Sequence, residues 1–101
     1  MIVYNVTVNV EQEVEEEWRT WMKDIHIPEV MATGMFTDNR FLRLLNEVEG
    51  NTGTTYAIQY TCPSPQELQD YLEKFAPELQ KKHTDKYEGK FVAFRTFLEE
   101  I

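Results

Sequence analysis

Two histidines, two strand-borne arginines and a pair of tryptophans are the residues of this chain whose types and spacing bear on chemistry. His26 closes an amphipathic stretch two residues before Pro28. At that junction it can serve as a general acid or base, or as a ligand donor, at a pocket mouth. It can equally cap a helix C-terminus through its ring N–H and the helix dipole. His83 lies on an apolar stripe between Leu79 and Tyr87, where a satisfied, partly buried histidine is commoner than a catalytic one. Arg43 and Arg95 fall inside strand-like runs, where a long cation is expected to snorkel or to pair with Glu47 or Glu99. If both share a face with Asn5, Thr7 and Gln59, the five form a ligand-binding floor suited to a carboxylate.

Trp18 and Trp21 recur at helical spacing with Val14, Met22 and Ile25. Their first duty is core packing, with stacking on a flat aromatic ligand as the alternative. Cys62 is the sole cysteine, so no internal disulfide can form. With no base or metal ligand beside it in sequence, it reads as a buried, inert thiol. No Gly-rich phosphate loop, HExxH or GxSxG pattern occurs, so neither a cofactor nor a metal is expected.

The elements that must position these groups are legible. Ile2, Tyr4, Val6, Val8 and Val10 alternate with Val3, Asn5, Thr7 and Asn9, which predicts a strand with one oily and one mostly polar face. Glutamates crowd the start of the helix that follows, and Pro28 predicts its end near His26, because proline disfavours helical geometry at the residue before it. Glu29 to Thr33 fits one further turn, stopped by Gly34. Residues 36–48 read as a long second strand with blurred alternation at Leu44-Leu45, and residues 49–53 as a hairpin loop. Thr54 to Cys62 is the third strand. Ser64, Pro65 and Glu67 predict a capped helix start, and Pro77 a kink or restart in that helix. Phe91 to Leu98 is the last strand.

At 101 residues with 42% hydrophobic content, the chain is expected to form one domain. The order β-α-β-β-α-β predicts an α+β, ferredoxin-like fold: a four-stranded antiparallel sheet with two helices on one face. Two helices cover only one face. The other carries Asn5, Thr7, Asn9, Gln59 and Thr61 beside Val3 and Ala57, a composition suited to a homodimer packed sheet against sheet. The net charge of −8 opposes nucleic-acid and anionic-membrane binding. No leader or membrane span is visible, so a cytoplasmic location is the expectation.

Three stretches carry a resemblance that runs over essentially the whole chain. They are Met1 to Val10; Trp18 and Trp21-Met22 followed by His26-Ile27-Pro28-Glu29-Val30 and Thr33-Gly34; and Phe75-Ala76-Pro77 with His83 and Phe91 to Thr96. Together they resemble an uncharacterised family of small proteins of unknown function. More distantly, the arrangement is similar to the dimeric α+β barrel superfamily, which includes antibiotic-biosynthesis-type monooxygenases. That likeness implies a homodimer whose two sheets form a barrel, with a pocket between each sheet and its helices. Two function classes follow: a non-catalytic homodimer that binds a small molecule or protein partner, and a cofactor-independent monooxygenase- or isomerase-like enzyme for a small aromatic or acidic metabolite. Sequence alone leans to the first, since no catalytic constellation can be assembled from it. A cavity holding His26 or His83 beside Arg43 or Arg95 favours the second.

Overall fold

The structure, a computed structural model, describes residues 1–46 and 52–101. Its sheet is antiparallel throughout, with strand order β2-β3-β1-β4 and strands β1 Ile2–Val10, β2 Asp38–Arg43, β3 Thr54–Cys62 and β4 Phe91–Glu99. This is the expected ferredoxin-like α+β arrangement. Register follows the period-two pattern. Tyr4 lies opposite Tyr60 and Phe97, and Val6 opposite Ile58 and Arg95, so the oily face of β1 continues across both neighbours. Phe36, Tyr4, Tyr60 and Tyr71 form an aromatic cluster on that face, with Phe36 and Tyr71 ring centroids 4.8 Å apart.

Two helical arms cover the oily face. In the second, α3 (Pro65–Lys74) ends at Phe75 and α4 (Ala76–Tyr87) restarts at once with Pro77 in its first turn, the expected restart. Ser64 sits at the N-cap position, but its hydroxyl donates to the Glu67 carboxylate instead of accepting a backbone N–H.

The first arm corrects the sequence expectation. α1 (Gln12–Trp21) runs through a π-helical turn, Met22–His26, into α2 (Ile27–Ala32) without leaving helical backbone; Ile27 itself has φ −60° and ψ −44°. The helix therefore does not end at His26. Proline has no N–H to give and its ring crowds the carbonyl four residues back. The wider turn accommodates that ring, and the Ile27 N–H bonds to Met22 O, five residues earlier. The extra residue also shifts the helical phase. Ile25, expected on the buried stripe, is 47% exposed, while Ile27 and Val30 are buried in its place.

β2 is shorter than expected, and residues 44–46 leave the strand, although the Leu44 N–H still reaches Thr55 O at 2.9 Å. Val48, Glu47 with its suggested pairing, and most of the hairpin loop lie outside the described residues. At the loop's far end a Cβ on Gly53 would stand 2.1 Å from the Val10 carbonyl oxygen. Gly53→Ala is therefore expected to cost about 1–3 kcal/mol, the range for forcing extra volume into a packed site. Urea denaturation checks this, and an unchanged midpoint would show that β1 does not hold the loop so closely.

Candidate functional site

The β1 and β3 registers split the predicted ligand floor. Asn5, Thr7 and Gln59 are on the open face, where the Asn5 side-chain amide donates to Thr7 Oγ1 at 3.0 Å. Arg43 stands opposite Tyr56 and Arg95 opposite Val6, both on the helix-covered face. The five residues do not share one surface, because each arginine is in phase with the inward residues of its strand, Phe41 and Ala93. The open-face arginine is Arg40, opposite Gln59.

Beneath the helices, the structure instead brings together both histidines and Arg95. A small cavity of about 40 Å³ lies between sheet and helices, walled by Tyr4, Tyr60 and Tyr71, with His26, His83 and Arg95 as its charged or titratable polar groups and Gln80 beside them. That volume holds water or the reacting end of a ligand. Each element contributes for a reason already given. The π-helical turn brings His26 inward, α4 presents His83 on the stripe with Leu79 and Tyr87, and β4 alternation points Arg95 to the same side. Arg43 lies apart, its guanidinium 5.8 Å from the Tyr56 ring centroid.

His83 is 8% exposed and accepts a 2.8 Å hydrogen bond at Nε2 from the Trp18 indole N–H. Its ring meets Phe91 edge-on at 4.4 Å and lies 5.8 Å from the His26 ring. His26 stacks on Trp21 at 5.0 Å. Among the described residues, His26 Nδ1 is the buried side-chain nitrogen or oxygen that has no hydrogen-bond partner. Burial holds both histidines down at about 4; nearby Lys82 and Arg95 add to this for His26 against the opposing pull of Glu29, and His26 and Arg95 add to it for His83. Both rings are thus neutral near pH 7. Tyr60 and Tyr71 are pushed above the ordinary phenol range, chiefly by burial. Arg95 makes no ion pair among the described residues, which leaves its charge available at the cavity.

Sequence reasoning singled out His26, His83 and Arg95 without joining them. It missed the tyrosine wall and Gln80, although Tyr4, Tyr60 and Tyr71 each stood on a stripe assigned to the core. It also missed the Trp18–His83 bond. Trp18 is core, at 0% exposed, and a hydrogen-bond donor as well.

The family model for a domain of unknown function, DUF4286, matches residues 1–101. The chain belongs to this family. No curated protein matches it in sequence. Among solved structures, an antibiotic biosynthesis monooxygenase candidate from Nitrosomonas europaea superposes with a TM-score of 0.70 at 8% identity, covering 100% of this chain and 99% of that one. The hydroxynitrile lyase of Passiflora edulis gives 0.66 at 16% identity, with 99% and 95% covered. A dimeric ferredoxin-like protein of unknown function from Jannaschia sp. CCS1 gives 0.62 at 13% identity, with 99% and 100% covered. These likenesses establish a shared fold. Among the described residues, no helix is long and apolar enough to cross a membrane.

The buried histidines tie stability to pH. Their folded-state values near 4 lie below the unfolded value of 6.5, so between these limits the unfolded chain binds more protons. Their contribution, a few kcal/mol for the pair, is complete above about pH 6.5 and is lost as pH falls towards about 4. Urea midpoints measured from pH 7.5 down to 4.5 should fall steadily, and less steeply in His83→Gln. A flat profile over that range would mean that the rings are not desolvated.

Proposed function

We propose that the DUF4286 chain acts as a homodimer in which each protomer holds, between sheet and helices, a cofactor-independent acid–base site for a small anionic metabolite. The observation that carries this reading is the unpartnered, buried Nδ1 of His26 in one cavity with His83 and Arg95. A neutral imidazole can take or give a proton at neutral pH, and a guanidinium without an ion pair offers bidentate bonds to a carboxylate. The Passiflora neighbour's description as a hydroxynitrile lyase is consistent with a catalytic use of such a fold. At this level of likeness it is analogy only.

The dimer rests on the open sheet face. Val92 is 70% and Phe94 62% exposed there, and Leu98 and Leu42 extend the same apolar surface around a polar centre of Asn5 and Gln59. Several structural neighbours are described as dimeric ferredoxin-like proteins. A cytoplasmic location belongs to the same reading, in which Cys62 stays a buried free thiol. A second reading, binding without turnover, is favoured by the cavity's small size, since a whole metabolite would enter only if side chains moved.

Light scattering is expected to give twice the chain mass for the native protein and the monomer mass for Phe94→Glu; a native monomer would overturn the assembly. Titration with acetate and with benzoate, followed through the ¹⁵N signals of both histidine rings, should shift His26 and His83. Arg95→Gln should weaken that binding roughly tenfold, as loss of a charge-assisted bond does. Shifts confined to the Asn5 and Gln59 side-chain amides would put the ligand on the open face and end this reading of the pocket.

A further inference from the structure

We infer that Trp18 divides the labour between the two histidines, fixing His83 as a hydrogen-bond donor to the ligand and leaving His26 as the proton acceptor, so that the site suits an enolisable oxo acid. This rests on the acid–base reading above and specifies its substrate class. An indole N–H can only donate, so the His83 Nε2 that receives it at 2.8 Å carries no proton. A neutral imidazole has one N–H, which for His83 must then be on Nδ1. The tautomer is thus imposed by a neighbour that is itself wholly buried.

His26 has the complementary vacancy. Its ring lies 5.8 Å from His83, and its Nδ1 is sealed from solvent with nothing bonded to it. A group between the two rings therefore meets a donor on one side and an open acceptor on the other, with the Arg95 guanidinium at the same cavity. A carbonyl beside an ionisable C–H, carried on a carboxylate, matches all three. The carboxylate pairs with Arg95 and the ketone oxygen accepts the His83 Nδ1–H. The C–H bond next to the ketone breaks, and its proton goes to His26 Nδ1. The electron pair left behind forms the enolate carbon–carbon double bond, and the carbonyl electrons move onto the oxygen held by His83. Return of the proton to carbon regenerates the oxo acid, so the cycle consumes no oxidant or co-reactant. Bound carboxylate also opposes the cationic influence of Arg95 and raises the basicity of His26 when the substrate is present.

Trp18 is on this account a positioning residue, and ring ¹⁵N spectroscopy reads its role without any substrate. In the native protein His83 should show the Nδ1–H tautomer, and in Trp18→Phe it should lose that fixed assignment. A native Nε2–H tautomer would overturn the inference even if acetate binds. Exchange of the hydrogens beside the ketone of pyruvate and of acetoacetate in D₂O, followed by proton NMR, reads the chemistry. Enzyme-dependent exchange should fall roughly a hundredfold in His26→Ala, the scale of a lost general base. His83→Asn, which keeps a donor, should retain more exchange than His83→Ala, and this comparison stands even if Trp18→Phe fails to fold. Equal exchange in native protein and His26→Ala, or in His83→Asn and His83→Ala, would overturn the division of roles while leaving the anion site intact. Failure of acetate and benzoate to move either histidine signal would instead overturn the reading on which it rests.

Discussion

The hydrogen bond from Trp18 to His83 joins the two helical arms inside the core, and the arrangement around it depends on that join. Trp18 comes from α1 and His83 from α4, 65 residues apart in sequence. Each is a polar group that would be costly to bury alone, and each satisfies the other. Trp21, Tyr87 and Phe91 pack around the histidine, so the bond sits under a layer of rings that keep water from competing with it. The same enclosure is what holds both imidazoles neutral. Structural and chemical properties of the site therefore have one origin, the removal of these rings from solvent.

Much of the fold was legible because its rules are local. Alternation in β1, β3 and β4 assigned their inward residues correctly, and Pro65 and Pro77 marked the boundaries of the second arm. What escaped was the consequence of Pro28. The preference of the preceding residue against helical backbone is real, but a single wide turn relieves the clash more cheaply than breaking the helix, and no pattern in Met22–His26 announces it. Ile25 was misassigned for that reason alone.

The candidate site was legible only in pieces. His26, His83 and Arg95 were each identifiable, yet their meeting depends on three separate phases: that of the first arm after its π-helical turn, that of α4, and that of β4. An error in any one scatters the group. Arg43 shows this directly. Its strand alternation is blurred by Leu44-Leu45, and without a register it was grouped with Asn5 and Gln59 across the thickness of the sheet. Arg95, on a clean alternation, was equally free to be placed on either face until pairing with Val6 fixed it.

The π-helical turn has a consequence for how this chain can vary. Removing one residue from Met22–His26 would restore an ordinary helix and rotate everything after it by about 100°. Ile27 and Val30 would swing out of the core and His26 would leave the cavity, although no residue of the site itself had been altered. Insertions and deletions in this arm are thus constrained more tightly than substitutions. Its length in residues, rather than the identity of any one of them, keeps the imidazole where it is.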